Sequence, residues 1–399
     1  MRILFLNPIG QLGGAERSLL DLIRSLREQD SPPDLSLISF SEGPLVDAVA
    51  SLNVDVEVVS LPSGHAALGD SGFGPRTLLG LAQAAVGMRA FSRFLERLRR
   101  VITVRGPDLI HSNGFKAHLI SGWIRPAKAH LIWHVRDFIS SRPMMRALLP
   151  RLESRASAAI CISKAVAVDA RTVLRKTRIL TVLNGVNTQA FADPGIPPMD
   201  LDALAGLPPS KPNVTRVGLL ATNAKWKGHG LFVDAASRCR DPRARFYIIG
   251  GSIYSTSKSQ VDTVSLRRKV AGFALDERCG FVPFQQDSRG IYRALDIVVN
   301  ASTAPEPFGR TVAEGMAAGR AVVAPDAGGI PEQVSDRVTG RLFPSGNADA
   351  LAEALDALIA SPDERARLGR AAAVHAREHL DARRLGPEVL HIYQAVLNT

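Results

Sequence analysis

Short apolar runs alternate with helix-like stretches along the first half of this chain, and no other feature narrows its fold as much. Residues 2–6 (Arg-Ile-Leu-Phe-Leu) read as a strand, and Gly10-Gln-Leu-Gly-Gly-Ala-Glu16 follows before a periodic helix over about 15–29. Further strands are expected at 35–40, 54–59, 108–111, 129–135, 158–162 and 179–183, with helix-like residues between them. Parallel neighbours need a crossover, usually a helix, so this repetition predicts a doubly wound α/β sheet. Ligands gather at the carboxyl ends of such strands. The glycines do not form G-x-G-x-x-G, which argues against a dinucleotide-binding oxidoreductase.

The second half carries a denser signal. The apolar run Asp296-Ile-Val-Val-Asn300 leads through Ala-Ser-Thr-Ala-Pro-Glu306-Pro-Phe-Gly309 into a helix expected over 309–318. Strand, tight loop and helix in that order present the free N–H groups of a first helical turn at a sheet edge, where they and the helix dipole favour an anion. Glu314 lies about 7 Å along the helix from its start, roughly the separation of a bound diphosphate from its ribose. One carboxylate would then hold sugar hydroxyls and the other the ribose.

Glu306-Pro-Phe-Gly followed by Glu314, with seven residues between the glutamates, resembles the signature of glycosyltransferase family 4. Met316-Ala-Ala-Gly319 and Gly328-Gly329 with Glu332 continue the resemblance. It implies an α/β chain of the GT-B fold: two Rossmann-like doubly wound domains facing a cleft, the donor on the second domain and the acceptor on the first. The implied activity is a retaining, metal-independent transfer of a sugar from a UDP- or GDP-sugar, with no cofactor. His134, in Leu-Ile-Trp-His-Val-Arg-Asp137, matches the family's histidine beside the reacting sugar, and with Glu306 it is the expected catalytic pair. Gly13 and Gly14 face the donor in relatives. Lys227, in Lys-Trp-Lys-Gly228, matches the lysine that pairs with the diphosphate, and Phe308, Gly309, Arg310, Thr311 and Glu314 complete the donor set. Residues 278–284 resemble the loop that lines the nucleobase. Thr222 stands where the family has an arginine, with Lys225 as the alternative cation, and Asn187 replaces the acid of an N-G-V-D turn. His111, at another strand end, is left undecided.

A length of 399 residues suits two domains. The expected boundaries are 1–192, a linker over 193–212, 213–380, and a last helix in 381–399 that crosses back to the first domain. The linker is expected from its six prolines, at 194, 197, 198, 208, 209 and 212. Its Asp200-Leu-Asp202 is a D-x-D triplet, read as a helix cap and a solvated charge, so no metal site is expected. Cys161, Cys239 and Cys279 lack metal spacing and fit a reduced, cytoplasmic protein. No apolar run approaches the roughly 18 residues of a membrane span, and the start reads as a first strand and not a signal peptide.

Net charge is +11, of which +9 falls in residues 1–190. In that half, residues 88–104 place Met88, Phe91, Leu95, Leu98 and Ile102 on one helical face and Arg89, Arg93, Arg97 and Arg100 on the other. Such a helix either packs with a solvated arginine face or lies on an anionic membrane surface. An acidic or lipid-linked acceptor with peripheral membrane contact is therefore one expectation, and a soluble acceptor the other. No aromatic-interleaved basic stripe points to nucleic acid. The Gly-rich stretch 62–75 reads as a loop near the acceptor. Two rival functions are another nucleotide-sugar enzyme such as an epimerase, and a non-catalytic sugar-nucleotide-binding partner.

Overall fold

The structure is a computed structural model that describes residues 1–62, 78–124, 128–251 and 261–398, with the backbone alone for 78–86. The expected acceptor loop, beyond Pro62, lies outside the described residues. The chain divides into two compact units, 1–184 with 382–399, and 185–381. The first contains β1 (Arg2–Asn7), α1 (Gly14–Arg27), β2 (Asp34–Ser39), α2 (Pro44–Ala50), β3 (Asp55–Val58), α3 (Leu78–Arg105), β4 (Leu109–Asn113), α4 (Phe115–Ile124), β5 (His130–Val135), α5 (Pro143–Leu152), β6 (Ala158–Cys161), α6 (Lys164–Val173) and β7 (Ile179–Thr181). All seven strands are parallel, in the order β3-β2-β1-β4-β5-β6-β7. Ile3, Leu4, Phe5 and Leu6 are all buried, as a parallel strand covered on both faces requires.

The second unit contains α7 (Thr188–Ala192), α8 (Leu201–Ala205), β8 (Thr215–Leu220), α9 (His229–Arg238), β9 (Ala244–Gly250), α10 (Thr263–Gly272), β10 (Cys279–Pro283), α11 (Arg289–Ala294), β11 (Ile297–Val299), α12 (Arg310–Ala317), β12 (Ala321–Pro325), β13 (Arg341–Phe343), α13 (Ala348–Ala360) and α14 (Pro362–His379). Its six parallel strands run β10-β9-β8-β11-β12-β13. The last helix, α15 (Leu385–Leu397), belongs to the first unit. Its Val389, Tyr393 and Val396 share a core with Leu19, Leu22, Ile23 and Leu26 of α1. Gly386 allows the close approach: a Cβ there would lie 2.6 Å from the Ser25 carbonyl oxygen. The Ser25 hydroxyl accepts from the Gly386 N–H at 2.9 Å and donates to the Arg383 carbonyl at 2.6 Å.

Three expectations change. Residues 193–212 pack inside the second unit, with Gly280 of β10 pressed so closely on α8 that a Cβ would meet Ala205 at 2.5 Å. Asp202 is buried and not solvated. It accepts from Arg245 Nη1 and from the Tyr247 hydroxyl, each at 2.6 Å, and these bonds outweigh burial to keep its carboxyl below the usual range. Asp200 is the cap that the sequence indicates, accepting from the Ala203 N–H at 3.0 Å. Finally, Met88 is exposed, and the buried stripe of α3 is Phe94, Leu98 and Ile102. Arg89, Arg93, Arg97 and Arg100 are exposed as expected.

Among the described residues no helix is long and apolar enough to cross a membrane. The three cysteines are free and buried, and burial pushes each thiol up to about 12. Asp202→Ala leaves the Arg245 guanidinium and the Tyr247 hydroxyl without their buried partner. Equilibrium denaturation should show the second unit losing about 3–5 kcal/mol, and a loss below 1 kcal/mol would mean that the prolines alone hold this segment.

Candidate functional site

In the second unit the strand order reverses between β8 and β11, so the loops that leave these two strands diverge at the carboxyl edge of the sheet. After β8 a short 3-10 turn, Lys225–Lys227, ends in Gly228 with φ 72°. Only glycine serves here, because a Cβ would lie 1.7 Å from the Ala301 carbonyl oxygen of the neighbouring loop. The Thr303 N–H closes the contact by donating to the Trp226 carbonyl at 2.8 Å.

Across this contact Lys227 Nζ donates to Glu306 Oε1 at 2.6 Å. The same oxygen accepts from the Ser302 hydroxyl at 2.6 Å and from Asn300 Nδ2 at 3.1 Å. Glu306 is only 4% exposed. Burial alone would raise its pKa, but the Lys227 charge and the three hydrogen bonds hold it below the usual range, so the carboxylate stays ionised. Its backbone is fixed as well, with the Gly329 N–H donating to the Glu306 carbonyl at 2.7 Å. Lys227 Nζ also lies 4.0 Å from the Trp226 ring centroid, a cation–π distance.

The remaining expected donor residues are less open than their spacing implies. Gly309 precedes α12 with φ 91° and no side-chain cap, leaving the amino end of the helix to a ligand or water. Phe308 is buried, and its carbonyl accepts from Gln333 Nε2. Arg310 Nε donates to Glu314 Oε1 at 2.7 Å and the Tyr292 hydroxyl to Glu314 Oε2 at 2.7 Å, so both oxygens of Glu314 are already engaged. Thr311 is half-buried in the first turn of α12, while Thr222 is half-buried and Lys225 exposed on the loop after β8.

In the first unit the order reverses between β1 and β4. Gly13 precedes α1 with an ordinary φ of −81° and no side-chain cap, and nothing within 4 Å would meet a Cβ on Gly14. Gly14 therefore leaves room, and Gly13 relieves no strain. Beside them lies a buried polar network that the sequence showed only in part. His111 Nε2 and His134 Nδ1 are 2.9 Å apart, and the Tyr393 hydroxyl of α15 is 2.7 Å from His111 Nδ1. Arg136 donates through Nε to Asn113 Oδ1 and through Nη2 towards His134 Nδ1 at 3.4 Å, while Asn113 Nδ2 donates to Asn7 Oδ1 at 2.6 Å. Behind it His118 Nδ1 and the Ser112 hydroxyl are 2.7 Å apart.

Burial, then the Arg136 charge, holds His111 and His134 well below the ordinary imidazole value. His118 falls to about 3, chiefly through burial. Glu16, on the buried face of α1, is pushed up to about 7 by burial against the pull of hydrogen bonds and Arg136. Glu16 had a sequence signal, because it shares a helical stripe with Leu19, Ile23 and Leu26. Tyr393 had none, being 282 residues from His111. His111 joins His134 directly.

Comparison with known proteins matches both halves. Residues 12–190 match the model of Glycosyltransferase Family 4, and residues 209–375 that of Glycosyl transferases group 1. A D-inositol 3-phosphate glycosyltransferase of Saccharomonospora viridis is 36% identical over 33% of this chain and 31% of its own. An alpha-maltose-1-phosphate synthase of Mycobacterium tuberculosis is 30% identical over 60% of this chain and 64% of its own. The chain thus spans from about a third to just under two thirds of the length of these relatives. Among solved structures, Anabaena Alr3699/HepE in complex with UDP-glucose superimposes with a TM-score of 0.81 at 24% identity, covering 99% of this chain and all of that one. Sucrose-phosphate synthase from Thermosynechococcus elongatus gives 0.76 at 18%, covering both chains fully. At these identities the likeness is one of fold, GT-B.

The buried histidines make stability depend on pH. Their folded pKa values lie below 6.5, so their contribution is complete above pH 6.5 and is lost as pH falls towards the folded values. For His118, at about 3, acidification from pH 6.5 to 5 removes about 2 kcal/mol. Glu16 has the opposite sign: its raised pKa destabilises as pH rises from 4.5 to about 7, so acidification from pH 6.5 to 5 returns about 2 kcal/mol. Three histidines outweigh one carboxyl, and the first unit should weaken between pH 6.5 and 5. His118→Gln should reduce that slope by about 2 kcal/mol in denaturation at the two pH values, and an unchanged slope would show that His118 titrates normally.

Proposed function

We propose that the chain is a glycosyltransferase of the kind that the models matching its two halves describe, and that it moves a sugar from a nucleotide diphosphate to an acceptor, retaining anomeric configuration and using no metal or cofactor. The observation that carries the reading is the Lys227–Glu306 pair beside the uncapped amino end of α12. A lysine ammonium has three donors, so one held by Glu306 leaves two for a leaving diphosphate. The helix end adds partial positive charge. The acceptor oxygen bonds to the anomeric carbon as the carbon–phosphate oxygen bond breaks, and the leaving phosphate oxygen takes the acceptor's proton. The protein then supplies position and charge, and needs no nucleophile of its own. Ionised Glu306 is an acceptor for sugar hydroxyls, and His134 a donor to the sugar. D-x-D chemistry is disfavoured because Asp202 is committed to Arg245.

UDP-sugars are the first donors to test, since the solved structure of similar fold holds UDP-glucose. For the acceptor, relatives named for D-inositol 3-phosphate and the +9 charge of residues 1–190 together favour an anionic molecule, small or lipid-linked. The exposed arginines of α3 support a peripheral contact with the cytoplasmic face of a membrane.

Transfer should persist in EDTA, whereas a strict magnesium or manganese requirement would overturn the metal-free reading. Lys227→Ala should weaken UDP-glucose binding by about 1.5–3 kcal/mol in calorimetry, with folding checked by circular dichroism, and unchanged affinity would remove Lys227 from the phosphate site. For the membrane, each basic residue near an anionic surface is worth on the order of 1 kcal/mol. Sedimentation with anionic vesicles should therefore exceed that with neutral ones, and should fall in high salt and in a variant with Arg89, Arg93, Arg97 and Arg100 changed to Gln. No difference between vesicle types would leave a soluble acceptor and a solvated helix.

A further inference from the structure

We infer that Tyr393 and His111 are positioning residues that lock His134 as a neutral imidazole with its proton on Nε2, making it a hydrogen-bond donor and not a proton carrier. The catalytic consequence rests on the proposed transfer; the tautomer does not. Three rings form one line, with the Tyr393 hydroxyl 2.7 Å from His111 Nδ1 and His111 Nε2 2.9 Å from His134 Nδ1. Tyr393 and His111 are fully buried and His134 is 4% exposed.

Such a line has two possible directions. If the tyrosine donates, His111 accepts at Nδ1 and donates from Nε2, His134 accepts at Nδ1, and its proton sits on Nε2. If the line runs the other way, His134 carries its proton on Nδ1. Arg136 decides between them. A guanidinium has donors only, and Arg136 Nη2 lies 3.4 Å from His134 Nδ1, where a proton on that nitrogen would oppose it. Arg136 is held there by Asn113, which Asn7 orients in turn. The direction from Tyr393 to His134 is therefore the one that leaves no two donors facing each other. His134 Nε2 has no protein partner among the described residues.

The same network cannot pass a proton along. Donation from His134 followed by transfer down the line would end in a tyrosinate at 393, and burial raises that hydroxyl well above its ordinary value. Charging His134 instead is opposed by burial, by Arg136, and by His111 and His118. Glu16, which faces Arg136 and not His134, has its carboxyl raised to about 7 by burial. What remains is a fixed neutral N–H, which suits a developing charge or a sugar hydroxyl without needing a pH-matched pKa. The helix α15, from the far end of the chain, thereby sets the chemistry of a residue on β5.

Nitrogen-15 NMR of the full-length protein labelled at histidine tests the lock directly. His134 should show the Nε2–H tautomer and no titration between pH 5.5 and 8. Tyr393→Phe should produce a tautomer mixture at His134 and lower kcat by roughly tenfold or more, with the donor KM within twofold of wild type. An Nδ1–H tautomer in the wild type, a His134 that titrates in this range, or a Tyr393→Phe variant unchanged in both tautomer and kcat would each overturn the inference. The wild-type spectra decide the lock even if Tyr393→Phe fails to fold. Spectra as expected from a protein with no transferase activity would leave the lock standing and count against the proposed function alone.

Discussion

A carboxylate can be buried only where a cation and hydrogen bonds replace its water, and much of the second unit's carboxyl edge is built to meet that demand at Glu306. Lys227 comes from the loop after β8, and Asn300 and Ser302 from the loop after β11. The backbone of Glu306 in turn holds Gly329, beyond β12. Three strand ends are tied through one residue. The glycines follow from the crowding: Gly228 against Ala301, and Gly328, where a Cβ would lie 2.2 Å from the Glu306 carbonyl oxygen. Losing one partner of such a pair typically costs about 3–5 kcal/mol, so the loops are positioned by the same interaction that keeps the carboxylate ionised.

The first unit has the same kind of strand reversal and fills it differently. Its polar groups at β1, β4 and β5 form a line of neutral rings beside one buried cation, Arg136, held by Asn113, which Asn7 orients in turn. Burial keeps the imidazoles uncharged, and it brings the buried carboxyl of Glu16 to about 7. One unit thus offers fixed charge and the other fixed neutral donors. The topology is shared, so the difference lies in which side chains stand at the ends of the strands.

How far these sites could be read from the sequence follows from the range of the interactions. The strands expected at 129–135 and 158–162 appear at His130–Val135 and Ala158–Cys161, because parallel strands buried on both faces are written as continuous apolar runs. The helix expected over 309–318 appears at Arg310–Ala317 for a similarly local reason, a glycine stop before an amphipathic stretch. Asp202 failed the local reading: its partners Arg245 and Tyr247 lie more than forty residues on, and a proline-rich stretch looks like a linker wherever it packs. Tyr393 is the extreme case, since no pattern within α15 marks one buried tyrosine as the partner of a histidine on β4. Arg310 and Glu314 were legible as residues but not as a pair satisfying each other.

Two departures from the family pattern can be weighed on physical grounds. Asn187 stands where an acid is usual, and its side-chain oxygen accepts from the Ala190 N–H at 3.0 Å to cap α7. Asparagine and aspartate cap about equally well, so that exchange leaves the turn intact. Thr222 in place of an arginine differs, because a threonine brings no charge. Lys225 is exposed on the same loop, while Lys227 is already held by Glu306. On the proposed reading the diphosphate therefore meets a cation whose charge is balanced in the free protein, plus the dipole of α12. Attraction between the protein and bare phosphate is then weak, and the hydroxyls that Glu306 can hold must supply more of the binding. A site built this way selects the whole nucleotide sugar over its phosphate, since contacts to the sugar are the part that the nucleotide alone cannot make.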